Sequence, residues 1–311
     1  MSKILITGGA GFIPSYLTAK LAENVENQIV IVDNLLTGSI AKIPTSEHNN
    51  IKFINCDVNV LSDISSVFYA YSFDYVFHYA AMVGVKRTQE NPVSVLEDIV
   101  GIKNILNLSK NTGVKRIYYS SSSEVYGEPV EFPQNEETTP LNSRLPYAIV
   151  KNVGEAFLKS FKKEFDLDYT IFRFFNTYGP KQSKDFVISK FIHSALLDAD
   201  ITIYGDGKQT RTFCFIDDNI AATTNAFYNN EFVNDIVNIG GEKEVTILEL
   251  AQTIIRLTNS KSKIVHLPAL KEGDMTRRQP DTTKMKRLLA QETISLEAGL
   301  KKLLENTSYI L

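Results

Sequence analysis

The chain has 311 residues, 43% of them hydrophobic, enough for one large domain or two ordinary ones with a full core. Its formal net charge of −3 gives no general attraction to nucleic acid or to an anionic membrane. No apolar stretch approaches the ~20 residues that span a bilayer, and with a first strand at Lys3–Thr7 no signal peptide is expected. Cys56 and Cys214 stand far apart and fit no metal-ligand spacing, so ordinary packing in a cytoplasmic, reducing setting is expected.

The first element is a β-type run, Lys3-Ile4-Leu5-Ile6-Thr7, which leads through Gly8-Gly9-Ala10-Gly11-Phe12-Ile13 into a helix-like stretch, Ser15 to Leu21. A strand, a glycine-rich turn and a helix make a cradle for a pyrophosphate. Glycine lets the backbone approach the phosphates, and unpaired N–H groups at the helix start point at the charge. Gly8, Gly11, Phe12 and Ile13 are the turn residues expected to line it. Pro14 stands where a third glycine is usual, and is tolerated because a first-turn N–H has no intrahelical partner. A second strand, Gln28 to Val32, ends in Asp33, about twenty residues past the turn, where a carboxylate accepts both hydroxyls of an adenosine ribose. Asp33 would repel a 2′-phosphate, so the expected cofactor is NAD rather than NADP.

Further units follow in order. A strand at 51–55 precedes a helix at 63–71, a strand at 75–78 and a helix at roughly 93–111 closed by Gly113. A strand at 115–120, a helix at 147–165 and a strand at 169–174 complete the series. Repeated βα units with nearly continuous apolar strands predict an α/β fold, a doubly wound parallel sheet with ligands at its C-terminal edge. Past Asn176 the rhythm changes to loops as far as Arg211. A strand at 212–216 is then expected, with Asp217-Asp218 as N-cap of the next helix, and a last sheet strand at 235–239. A helix at 247–257, a loop at 267–280 and two terminal helices read as a smaller C-terminal lobe. The expected division is 1–175 plus 215–240 for the dinucleotide domain and 176–214 plus 241–311 for the substrate lobe.

Ser120 to Ser123, then Glu124-Val125-Tyr126-Gly127, stand at the end of the 115–120 strand, and Tyr147 and Lys151 open the helix downstream. Four residues apart, those two lie on one helix face. An ammonium beside a phenol favours phenolate, as does the positive nicotinamide ring, giving a base for a sugar hydroxyl.

With these motifs in order, the chain resembles the extended short-chain dehydrogenases/reductases, the nucleotide-sugar epimerases, dehydratases and decarboxylases. The likeness also runs through Asp33-Asn34, Cys56-Asp57, His78-Tyr79-Ala80-Ala81, Arg173 to Pro180, Ile203 to Gly207, Gln209-Thr210-Arg211 and Asp217-Asp218. The resemblance implies Tyr147 as base, Lys151 on the nicotinamide ribose and Ser122, three residues before Val125-Tyr126-Gly127, as hydroxyl partner. It places Asn34, Asp57 and Ala80 at the cofactor, with Asp57 on the adenine. Asn176 and Arg211 would hold the diphosphate of a UDP-sugar, Tyr204 would pack on the base, and Arg278 would be a second phosphate ligand. It also implies a homodimer through the helices at 93–111 and 147–165.

Glu124 discriminates within the family. Simple 4-epimerases usually have an uncharged residue here, 4,6-dehydratases Asp-Glu and glucuronate decarboxylases Ser-Glu. This chain has Ser123-Glu124, yet Val83 to Arg87 looks epimerase-like. Arg144 either faces a substrate carboxylate or is a surface residue. After oxidation at C4, epimerisation is the favoured outcome because it needs no further residues. Decarboxylation through Glu124 and Arg144 comes second and dehydration third. A non-enzymatic sugar-nucleotide sensor would have no need of the Tyr147/Lys151 pair.

Overall fold

The structure, a computed structural model, describes residues 1–45, 48–128, 130–269 and 277–308, with nothing assigned to the side chains of residues 85 and 86. The first half runs β1 (Lys3–Thr7), α1 (Phe12–Ala22), β2 (Gln28–Asp33), β3 (Ile51–Asn55), α2 (Leu61–Tyr71), β4 (Tyr75–His78), α3 (Val85–Glu90) and α4 (Pro92–Thr112). It continues with β5 (Arg116–Ser122), α5 (Pro146–Phe165) and β6 (Asp168–Phe174). The second half holds β7 (Thr177–Tyr178), α6 (Val187–Leu196), β8 (Ile201–Tyr204), β9 (Thr210–Thr212), β10 (Cys214–Phe215), α7 (Ile216–Tyr228) and β11 (Asp235–Ile239). Last come β12 (Glu244–Thr246), α8 (Ile247–Thr258), β13 (Ile264–Leu267), α9 (Thr283–Leu288) and α10 (Leu296–Leu304).

Seven strands form one parallel sheet in the order β11-β6-β5-β4-β1-β2-β3. The chain order reverses between β1 and β4, and ligands bind at the carboxyl ends of the strands at such a point. Alternate residues of each strand feed opposite faces. Ile4, Ile6, Ile29 and Ile31 join a core with α1, α6, α7 and α8, while Leu5, Val30 and Val32 join one with α2, α4 and α5. Burial on both faces explains why these strands read as continuous apolar runs. Gly113 closes α4 in the left-handed conformation, φ 78°, as its position predicted.

The second half corrects three expectations. The segment expected as loop holds α6, whose Ile188, Phe191, Ile192 and Ala195 are buried, and β8, which pairs in parallel with β13. The expected 212–216 strand is two short ones, β9 antiparallel to β12 and β10 parallel to β7, and Ile216 already belongs to α7. Asp217 and Asp218 accordingly lie in the first turn of α7 and do not cap it. Asp218 accepts the Ile294 N–H at 2.8 Å and Asp217 meets Lys302 at 3.1 Å. Residues 270–276 of the expected loop lie outside the described residues.

Candidate active site

At the end of β1 the backbone turns at Gly8 with φ +70°, and a Cβ there would lie 2.8 Å from the Ala80 backbone. Only glycine adopts this turn without strain. No side chain caps α1 at Gly11, so its first N–H groups keep no intrahelical partner, and Gly8, Gly11, Phe12 and Ile13 line a large cleft. Pro14 sits buried in the first turn and the helix continues unbroken to Ala22. Asp33 accepts the N–H groups of Ala10 at 3.0 Å and Leu35 at 2.7 Å. Burial pushes its carboxyl upward, against those two bonds and the charge of Lys42. Asn34 donates its amide to Asp57 at 3.0 Å, and both line the same end of the cleft with Ala80. An uncapped helix start facing a buried carboxylate fits a dinucleotide, pyrophosphate on the helix and ribose on the acid.

The reacting end lies where β5 meets α5. Ser122 closes β5 and its Oγ accepts the Glu124 N–H at 3.2 Å, fixing the single 3-10 turn Ser123–Tyr126. Tyr147 follows Pro146 at the start of α5 and lines the cleft with Ser122. Lys151, one turn on and buried, donates to the Ser120 carbonyl at 2.6 Å and has its Nζ 5.7 Å from the Tyr147 ring centre. Burial first, then the charge of Glu124, raise the Tyr147 phenol above its ordinary value, while the Ser122 side chain and the charge of Arg278 oppose them. In the ligand-free protein these raising effects favour the protonated form of the phenol.

Tyr147, Lys151 and Glu155 lie on one face of α5 at successive turns. Glu155 is fully buried, accepts Ser121 Oγ at 2.6 Å and takes Arg173 of β6 as a bidentate partner at 2.9 and 2.7 Å. Arg173 also donates to the Tyr126 hydroxyl at 2.8 Å, and that hydroxyl donates to Asn238 of β11 at 2.8 Å. This network locks the register of α5 against the strand that carries Ser122.

Of the residues expected at the substrate, Asn176 and Arg278 line the cleft. Asn176 donates to the Thr212 carbonyl at 3.0 Å, and Arg278 lies 3.7 Å from the Glu124 carboxylate. Arg144, Tyr204 and Arg211 are not among the lining residues. Arg144 is exposed, Tyr204 ends β8 partly exposed, and Arg211 is buried on β9 with Nη1 donating to the Thr210 carbonyl at 2.8 Å. Asp98 of α4 lines the cleft without having been foreseen. Its signal was an acid on the apolar stripe Val95, Ile99, Ile102. The cleft measures about 1240 Å³, more than the roughly 300–1,000 Å³ of a pocket for one drug-sized ligand, so cofactor and substrate have room together. Among the described residues no group of side chains could hold a metal.

Residues 4–240 match the NAD dependent epimerase/dehydratase family. A UDP-N-acetyl-alpha-D-glucosaminuronate decarboxylase of Bacillus cytotoxicus is 38% identical, covering 97% of each chain. The UDP-glucose 4-epimerase of Thermotoga maritima, solved with UDP-glucose, superposes with a TM-score of 0.91 at 32% identity over 98% of each chain. A UDP-glucuronic acid 4-epimerase of Bacillus cereus, solved with UDP-glucuronic acid and NAD, gives 0.89 at 29% identity, over 99% of this chain and 98% of that one. The chain belongs to the NAD-dependent epimerase/dehydratase family, and its cofactor is NAD.

Proposed function

We propose that this chain is a UDP-sugar 4-epimerase in which Tyr147 exchanges a proton with the sugar C4 hydroxyl. The observation that supports this reading is that Tyr147, Ser122 and Lys151 line one cleft, and hydride return after oxidation at C4 needs no residue beyond them. Ser123 stands where a dehydratase would need its aspartate, and Glu124 faces Arg278. Arg144, the cation expected for a substrate carboxylate, does not line the cleft.

NAD held in this cleft would supply the hydride acceptor for C4, and its positive ring would favour the phenolate form of Tyr147. Ser122, pinned by the Glu124 N–H, hydrogen-bonds the reacting oxygens and stabilises the charged phenolate. Lys151 holds the nicotinamide ribose from the cleft wall, while Asp33, Asn34 and Asp57 hold the adenosine half. Asn176 and Arg278 meet the substrate inside the cleft, and Arg211 and Tyr204 belong to the lobe proposed to carry the nucleotide, residues 176–214 and 241–311. The Thermotoga maritima relative, solved with UDP-glucose, supports the substrate class.

A second reading, decarboxylation of a UDP-hexuronate, is favoured by Arg278, a cation beside Glu124 able to meet a carboxylate, and by the 38% identical Bacillus relative. Glu124→Gln separates the two. In an epimerase Glu124 contributes a hydrogen bond of about 1–3 kcal/mol, so turnover slows and product mass is unchanged. Accumulation of NADH with a 4-keto sugar and no product would favour the second reading.

We propose further that the protein is a homodimer. Val93, Leu96 and Val100 on α4 are 72%, 41% and 48% exposed, and Ile149 on α5 is 37% exposed. Apolar residues at this spacing form one helix face that a twin subunit would cover. Light scattering at micromolar concentration should give twice the monomer mass, and a monomer there removes the proposal. No helix among the described residues is long and apolar enough to cross a membrane.

A further inference from the structure

Arg278 enters the cleft from the segment 277–281, and the neighbours of that segment set its direction. Gln134 pairs with it through the backbone, its N–H donating to the Gln279 carbonyl at 2.7 Å and its carbonyl accepting the Asp281 N–H at 2.8 Å. The side chains fall on two sides. Arg278 is buried against Ser123 and Glu124, with Nη1 donating to Ser123 Oγ at 3.5 Å and Nη2 lying 3.7 Å from the Glu124 carboxylate. Arg277 and Gln279 share the other side, where Arg277 Nη2 donates to the Gln279 side-chain carbonyl at 3.1 Å. Where successive side chains point opposite ways, holding Arg277 on the outside holds Arg278 on the inside.

Arg277 is gripped from several directions. Its Nε and Nη2 donate to the two oxygens of Glu244 at 2.6 and 2.5 Å, a bidentate pair, and its guanidinium carbon lies 4.0 Å from the centre of the Phe132 ring. A planar guanidinium that is both forked onto a carboxylate and stacked on a ring has one orientation, which a lysine at the same place would not have. Glu244 is fixed in turn, since it also accepts the Thr210 hydroxyl at 2.8 Å. It opens β12, which pairs antiparallel with β9 so that Val245 stands opposite Arg211. One carboxylate thus ties the segment that carries Arg278 to the strand that carries Arg211.

We propose that Arg277 and Glu244 are positioning residues, a clasp that aims Arg278 at the substrate and fixes it to the ladder of β9 and β12. Neither lines the cleft, so both act through Arg278. The inference deepens the proposed reaction and rests on the place given there to Arg278. Its first test needs neither cofactor nor substrate, so the two can fail separately.

Glu244→Gln removes the charge of the acceptor and keeps its size, and Arg277→Gln removes the fork. The initial rate at which phenylglyoxal modifies Arg278 is read in ligand-free protein by peptide mass spectrometry. In either variant it should rise by about threefold to fivefold over wild type, the range that a partly exposed ion pair supports. The double variant should match the single ones, because both changes break one bond. Arg256→Gln, which breaks a comparably exposed pair with Glu297 at 2.9 Å in the same lobe, should leave the rate in place. In turnover of UDP-glucose with NAD, KM should rise by the same factor in the two single variants while kcat and NAD affinity hold. Arg278 modified at the wild-type rate in both single variants, a double variant with the product of the two effects, or an equal rise in Arg256→Gln would overturn the inference. So would a fall in kcat at unchanged KM.

Discussion

Tyr147→Phe is expected to lower kcat by about 10²–10⁴-fold, the usual contribution of a positioned acid–base group, while leaving the fold and NAD binding intact. The change removes one oxygen from a ring packed against the core at the start of α5, so no cavity opens. The loss should appear in kcat and kcat/KM together, because the proton transfer is made in the transition state and not in the bound ground state. Neither NADH absorbance nor product should accumulate in the variant. Turnover within tenfold of wild type, in protein of unchanged Tm, would show that another group takes the C4 proton.

Glu155→Ala is expected to have the largest effect on stability, about 3–5 kcal/mol, because removing one member of a buried pair leaves Arg173 charged and uncompensated. Both side chains are 1% exposed, and the same carboxylate also accepts the Ser121 hydroxyl. Denaturant unfolding should show a lower midpoint at unchanged slope. The double variant Glu155→Leu with Arg173→Met should recover part of the loss, since replacing a buried pair with apolar groups of similar volume is often neutral. Single and double variants equally unstable would mean that packing, and not the uncompensated charge, dominates.

The first half of the chain was legible because its signals are local. Strands buried on both faces are apolar runs wherever they pair, and Gly8, Asp33 and the Tyr147/Lys151 spacing each follow from one stretch of sequence. The second half was less so. The apolar spacing of Ile188, Phe191, Ile192 and Ala195 was there to be read, but its Gly-, Lys- and Asp-rich surroundings resemble loop. Thr212 to Ile216 looks like one strand because alternation does not reveal that Thr212 pairs with Glu244 and Cys214 with Thr177. The supports of the site were hidden for the same reason. Glu155 and Asp98 are unremarkable acids in sequence, and their meaning comes from Arg173, 18 residues away, and from the Met82 N–H, 16 residues away.

The central claim is tested most directly by proton NMR and mass spectrometry of product formed from UDP-glucose, UDP-glucuronate and their N-acetylated counterparts in deuterated water with NAD. The account predicts a product of unchanged mass whose C4 configuration is inverted and whose C4 carries the original hydrogen, with no solvent deuterium on any sugar carbon. A product lighter by one CO₂ and bearing deuterium at C5 would contradict it.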